Sequence, residues 1–199
     1  LGSDIAGSMP AGELGAELTA LMRVSFEILR DHPVNKARIA AGKLPANCIW
    51  PWGPGSAMSL TPFGTLYGKT GSAVSAVPLV WGIANLCGVD TPRVEGANAE
   101  LDTNYEGKAQ AAIDALLKDG CDFAYIHVEA PDEMGHQGEL DHKILAIEDL
   151  DRRIIAPIKK AMEEAGEDFR MLVLPDHPTP LRIRTHSADP VPYVLYDST

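Results

Sequence analysis

Three features common in other classes of protein are scarce or missing in this chain. Only three of its 199 residues are cysteines, and their wide spacing offers neither a disulfide framework nor a C-x-x-C zinc site. No apolar run approaches the roughly 18 residues that a membrane-spanning helix needs. Positive charge is also scarce, with 17 Lys and Arg against 28 Asp and Glu, a net charge of -11. Nucleic acid and anionic membranes are therefore disfavoured as partners, and a reducing cytoplasm is the expected location.

The first part of the chain combines a helical pattern with a turn-rich stretch. Residues 13–30 place apolar side chains at steps of three and four, which predicts an amphipathic helix ending at Asp31-His32-Pro33. Residues 47–71 are dense in Gly, Pro and Trp, which favours a loop and a domain junction. We therefore expect one domain over residues 1–62 and another over residues 63–199.

The second part alternates helical patterns with short apolar runs. Predicted helices cover residues 73–87, 105–118 and 139–165, and Pro157 should kink or break the last of them. Predicted strands cover residues 92–95, 122–130, 171–175 and 192–196. This alternation is typical of the α/β class. Because the strands are continuous apolar runs, a mostly parallel sheet flanked by helices is expected.

Acidic and histidine side chains stand beside three of the predicted strands. Asp132 and His136 follow the strand 122–130, Asp176 and His177 follow the strand 171–175, and His186 precedes the last strand. Ligands of open α/β sheets gather at the carboxyl ends of strands, and carboxylates with imidazoles suit divalent ions. Any one pair alone is more commonly a turn former or a surface histidine. Their joint placement predicts a metal site large enough for two ions.

Three other residues are candidates for substrate contacts. Arg38 and Lys43 offer cations for a phosphate or carboxylate, and Arg38 adds a bidentate fork. Solvated charges at a helix end are the competing interpretation for both. His127, just before the first metal motif, either faces substrate or is a satisfied core histidine.

Longer strings around these residues point to a known family. Three strings resemble, in their order and spacing, the metal motifs of the archaeal-type cofactor-independent phosphoglycerate mutases, which belong to the alkaline phosphatase superfamily. These strings are HVEAPDEMGH, PDHPTP and THSADPVPY. The strings NKARIAAGKLPANCIWPWG and DTNYEGKAQAA also look like that family. The resemblance implies an alkaline-phosphatase-like core over residues 63–199 and part of an inserted cap domain over residues 1–62. It also implies that Asp132, His136 and His186 hold one metal, while Asp176 and His177 belong to the other.

The activity that the resemblance implies is an isomerase reaction of glycolysis. Such an enzyme interconverts 3-phosphoglycerate and 2-phosphoglycerate through a phosphoserine, using two divalent ions (Mn, Mg or Zn) and no 2,3-bisphosphoglycerate. The family's GDGM-like N-terminal motif and its nucleophilic Ser or Thr are not visible in this sequence. We therefore expect the chain to be an N-terminally truncated fragment that is inactive alone.

Other functions fit the same residues. Bacterial relatives of this type include proteins proposed as homoserine kinases, and nothing in the motifs separates the two activities. A metal-dependent phosphatase would result if the cap admitted water. A metal-binding module without catalysis is the third alternative. Neither the metal nor the oligomeric state can be predicted from the sequence.

Overall fold

The structure is a computed structural model that describes residues 4–53 and 55–199. The chain divides into two compact units, with the division between Met58 and Ser59. The sequence places the boundary four residues later, and the assignment of the first unit to a cap stays a prediction. No helix of the described ranges is both long and apolar enough to cross a bilayer.

The first unit contains two helices, α1 (Gly15–Arg30) and α2 (Pro33–Ala40). The predicted end of α1 before Asp31-His32-Pro33 is confirmed, and Pro33 opens α2, where its missing N–H costs nothing. Buried Asn35 ties α2 to the following segment. Its side-chain amide donates to the carbonyls of Leu29 and Ala46, and its Oδ1 accepts from the Ala46 N–H. This side chain therefore fixes the turn after α2.

The second unit alternates helices and strands, as expected for the α/β class. Its core lies around α5, which contacts α8, β1 and β2, and Tyr105, Ala112 and Ile158 are buried there. The helices are α3 (Phe63–Tyr67), α4 (Pro78–Leu86), α5 (Tyr105–Leu117), α6 (Ala130–Gln137), α7 (Leu140–Leu150) and α8 (Ala156–Ala165), and the strands are β1 (Gly71–Val74), β2 (Phe123–Ile126), β3 (Arg170–Val173) and β4 (Val194–Asp197).

Strand pairing agrees only in part with the expected sheet. β1 and β2 are parallel, with Gly71 opposite Phe123, and α4 and α5 lie in the crossover between them. β3 and β4 form a separate antiparallel pair, with Arg170 opposite Asp197. The prediction that both of these strands complete a buried parallel sheet is therefore wrong. Leu172 is 56% exposed and Leu195 60%, so an apolar run did not mean burial on both faces.

Three predicted elements have different bounds or types. The segment predicted as a helix over 73–87 begins as β1, and its helix starts only at Pro78. The predicted strand 92–95 is not one; instead Asp90 makes an isolated parallel bridge with Ser72. The predicted loop 47–71 contains the short helix α3. The density of glycine and proline indicated the turns but not the helices and strands between them.

The long helical pattern 139–165 is interrupted, as Pro157 predicted. A π-helical segment, Asp151–Ile155, joins α7 to α8, so the wide turn lies just before the proline. The apolar stripe predicted along this pattern is buried only in its second half. Ile154, Ile158 and Met162 enter the core, whereas Leu140 and Ile147 are more than half exposed.

Candidate metal centre

Helix α6 places the first two predicted ligands one turn apart. Asp132 and His136 are both on α6, not on either side of a turn, and Asp132 Oδ2 lies 3.3 Å from His136 Nε2. Residues four apart share a helix face, which explains why the two side chains meet. Helix α6 begins shortly after β2 and closes at Gly138, whose φ of 80° suits glycine.

His186 brings a third candidate ligand from the loop before β4. Its Nε2 lies 3.1 Å from His136 Nε2 and 3.4 Å from Asp132 Oδ1. One ligand atom from each of the three residues lies within 4.8 Å of the other two. One carboxylate oxygen and two imidazole nitrogens at these distances match the donor set of zinc or manganese sites.

The main chain of Arg184 determines which nitrogen of His136 faces this group. His136 Nδ1 lies 3.0 Å from the Arg184 carbonyl oxygen, which can only accept, so Nδ1 carries the proton. In the neutral ring, Nε2 then presents a lone pair towards His186 and the Asp132 carboxylate. Such convergent lone pairs repel one another unless a cation lies between them, so these residues fit a divalent ion.

Arg184 itself has an unusual backbone. Its φ is 52°, and it is the one non-glycine residue with positive φ in the described part of the chain. A left-handed conformation costs an L-residue roughly 1–2 kcal/mol, so it persists where the surroundings require it. Here it aims the carbonyl at His136. The guanidinium covers Gly138, where an added Cβ would lie 2.6 Å from Arg184 Nε.

Asp176 and His177 lie beside the same group. The His177 ring lies against that of His186, tilted by 31° with centroids 3.6 Å apart, and its Nδ1 is 3.9 Å from Asp132 Oδ1. His177 Nε2 is 3.3 Å from Asp176 Oδ2, whose side chain is 64% exposed. The structure thus brings all five residues into one region, with Asp176 at its rim.

Two residues that sequence reasoning missed join the elements of this region. Thr179 donates a hydrogen bond from Oγ1 to Asp132 Oδ1. Lys143 on α7 donates from Nζ to the carbonyl oxygens of Pro131 (2.9 Å) and Thr179 (3.1 Å). Burial lowers the pKa of Lys143, against the opposing effect of the Asp132 charge. Together they fasten the loop after β3 to α6.

The three predicted substrate residues have other surroundings. Arg38 and Lys43 lie in the first unit, where Arg38 Nε donates to the Leu44 carbonyl and Lys43 is exposed. His127 follows β2, and its side chain is 22% exposed. Its Nδ1 lies 3.2 Å from Glu129 Oε1 and 3.4 Å from Ser75 Oγ. Substrate contacts by these three residues stay predictions.

This chain is similar to a protein family, to named relatives and to a solved structure. Residues 19–199 match the Metalloenzyme superfamily. A Methanosarcina barkeri protein named 2,3-bisphosphoglycerate-independent phosphoglycerate mutase is 51% identical over 98% of this chain and 48% of its own length. A Geobacter sulfurreducens protein named a probable enzyme of the same kind is 49% identical, with the same coverage. A solved structure of a Pyrococcus horikoshii protein is 31% identical, has a TM-score of 0.78, and is matched over 96% of this chain and 49% of its own. The chain thus spans about half the length of the relatives it matches.

Proposed function

Because this chain belongs to the Metalloenzyme superfamily, we propose that the protein containing it interconverts 3-phosphoglycerate and 2-phosphoglycerate without 2,3-bisphosphoglycerate. The observation that carries this proposal is the convergence of Asp132, His136 and His186, in a chain whose relatives at 49–51% identity are named as such mutases. The reaction belongs to glycolysis, and we place it in the cytoplasm.

Five residues are proposed to hold two divalent ions. Asp132, His136 and His186 would bind one, and Asp176 with His177 would contribute to the other. When bound, such ions neutralise charge on the attacking and leaving oxygens of a phosphoryl transfer. Manganese and zinc both suit a donor set that mixes carboxylates with imidazoles, and magnesium is the alternative.

Neighbouring residues prepare this donor set. Thr179 restrains one oxygen of Asp132, and the Arg184 carbonyl holds His136 with Nε2 towards the other ligands. Ligands fixed in this way need little reorganisation when an ion binds. Lys143 keeps the loop that bears Thr179 against α6. These residues therefore position the ligands and do not react themselves.

Substrate binding and the nucleophile complete the proposal. Arg38 and Lys43 would bind the phosphate or carboxylate of phosphoglycerate, and His127 would contact substrate near the metals. A serine or threonine would carry the phosphoryl group between the two hydroxyls of glycerate. Retention of glycerate at that stage separates a mutase from a phosphatase. The names of the relatives do not favour a kinase, a phosphatase or a non-catalytic module.

Phosphorus NMR of the intact protein tests this function. The sample contains manganese and 3-phosphoglycerate but no 2,3-bisphosphoglycerate, and we expect the 2-phosphoglycerate signal to appear. Free phosphate in its place would identify a phosphatase, and phosphohomoserine from homoserine and ATP a kinase. Substitution His136→Ala should abolish turnover, whereas His142→Ala, at an exposed histidine on α7, should not. An active His136→Ala enzyme would contradict the proposed site.

A further inference from the structure

A buried ion pair lies behind the β2–α6 connection and has no part in the metal centre. Lys108, on α5, is 0% exposed, and its Nζ lies 3.2 Å from Glu129 Oε2 and 3.2 Å from the His127 carbonyl oxygen. The Glu129 side chain is only 8% exposed. Burying two charges costs several kcal/mol per ion before their attraction is counted, so apolar residues would serve packing as well. The pair therefore calls for a function other than stability.

The second oxygen of Glu129 indicates what that function is. Glu129 Oε1 is buried and has no hydrogen bond of good geometry among the described residues, yet His127 Nδ1 lies 3.2 Å away. Burial raises the pKa of Glu129, but the neighbouring His127 and the charge on Lys108 more than offset this, so the net shift is downward. The group is thus a carboxylate, which can only accept hydrogen bonds.

Two groups lie near His127 Nδ1, and the charged one favours a proton there. Ser75 Oγ, 3.4 Å away, accepts from the Val77 N–H and keeps its own proton, so it can either donate to Nδ1 or accept from it. An unprotonated Nδ1 would direct its lone pair at the buried carboxylate of Glu129, and a proton on Nδ1 would instead supply the missing donor. An unsatisfied buried oxygen costs roughly 1–3 kcal/mol, which favours the protonated nitrogen.

We infer that Lys108 and Glu129 are positioning residues that hold neutral His127 with its proton on Nδ1. Lys108 fixes the carboxylate, the carboxylate accepts from Nδ1, and Nε2 is left as a hydrogen-bond acceptor. In the mutase, on whose proposed function this role rests, an acceptor at His127 suits a hydroxyl group of glycerate. A lysine or arginine at this position could only donate, and would suit the phosphate instead.

Nitrogen-15 NMR of the intact protein tests this inference without any turnover. The protein is labelled at histidine, and His127→Asn identifies the His127 signals. At a pH where the ring is neutral, we expect Nδ1 to show the shift of a protonated nitrogen and Nε2 that of an unprotonated one. A neutral ring protonated on Nε2 would overturn the inference. This measurement reads the tautomer of His127 and needs no turnover. The inference can therefore fail or hold independently of the mutase assay.

A double substitution tests whether the ion pair is responsible. Lys108→Met with Glu129→Gln removes both charges at nearly constant volume, so no buried charge is left unpaired. We expect the proton to leave Nδ1 in at least part of the population. The matched control is Lys159→Met with Glu163→Gln, an ion pair on the surface of α8, which should leave the tautomer unchanged. If the Lys108–Glu129 variant kept the wild-type tautomer, the ion pair would not position His127. Should that variant not fold, Lys108→Gln with Glu129→Gln provides the same comparison, because it also removes both charges and its two amides can bond each other.

Discussion

At the scale of single residues, the candidate metal centre depends on main-chain atoms as well as on side chains. His136 owes the direction of its free nitrogen to a carbonyl oxygen, and that carbonyl is placed by a left-handed arginine. Side-chain identity at position 184 therefore matters less than the backbone angles that the residue accepts. The substitution Arg184→Ala would not reveal this role, because alanine disfavours the left-handed region as arginine does.

A pair of substitutions at Arg184 separates the backbone from the guanidinium. Arg184→Gly and Arg184→Val both lose the charge, but glycine accepts positive φ and valine resists it strongly. We expect Arg184→Val to be about 1–2 kcal/mol less stable than Arg184→Gly in urea unfolding. Manganese affinity, measured by calorimetry, should fall about tenfold or more in the valine variant relative to glycine. Equal affinities would mean that the Arg184 carbonyl does not orient His136.

Sequence reasoning located the five ligand candidates because each lies next to an apolar run that predicts a strand. It missed Thr179, Lys143 and Arg184, whose contributions come from tertiary contacts. Thr179 reaches Asp132 across 47 positions of the chain, and Lys143 binds carbonyl groups, which any residue possesses. The positive φ of Arg184 could not be predicted, because the residues that usually adopt this conformation are glycine and asparagine.

At the scale of elements, the contact between α6 and the loop after β3 leaves no room for a methyl group. A Cβ at Gly135 would lie 2.7 Å from the Thr179 carbonyl oxygen and 2.8 Å from Lys143 Nζ. We expect Gly135→Ala to destabilise the protein by about 1–3 kcal/mol, because the loop must move. In Gly82→Ala, on α4, the new methyl group meets nothing within 4 Å, and it should stabilise by about 0.5–1 kcal/mol. Equal effects in urea unfolding would refute close packing at Gly135.

The antiparallel pair β3–β4 should respond to acid. A hydrogen bond from the Arg170 guanidinium lowers the pKa of Asp197 from 3.8 to about 2. The pair therefore stabilises the sheet above pH 3.8 and loses its contribution as the pH falls towards 2. We expect wild type and Asp197→Asn to differ in urea midpoint near neutral pH and to converge in acid. Because both groups are exposed, high salt should narrow the difference. A gap that persists at low pH would contradict this assignment.

Element types were more predictable than element pairing. Helices α1 and α5 follow from apolar spacing, and their ends agree with the prediction to within two residues. The partner of β3 could not be predicted, because MLV is equally apolar in a buried parallel sheet and in a half-exposed antiparallel pair. Pairing depends on contacts between residues such as Arg170 and Asp197, which lie far apart in the sequence.

At the scale of the whole molecule, the candidate metal centre joins three separate parts of the second unit. Its residues come from α6, from the loop after β3 and from the loop before β4. A ligand that binds only the folded form stabilises it by mass action, about 2.7 kcal/mol at a hundred times Kd. We therefore expect manganese to raise the melting temperature of the intact protein and to have a much smaller effect on the His186→Ala variant. Calorimetric scans with and without chelator provide the measurement, and an equal rise in both proteins would contradict the proposed ligand.

The π-helical segment Asp151–Ile155 lets the joined helices α7 and α8 hold one extra residue without turning their buried face away from the core. Buried Asp149 and Ile154 are five residues apart across this segment, whereas Ile154, Ile158 and Met162 follow one another at steps of four. The wide turn absorbs the extra residue, because a π-helix bonds residues five apart where an α-helix bonds residues four apart. Removing one residue here would therefore restore a regular α-helix and leave Ile158 and Met162 in the core. Where relatives have a chain one residue shorter in this region, the gap in their alignment should fall in this segment, with the apolar residues of α8 keeping their order and spacing.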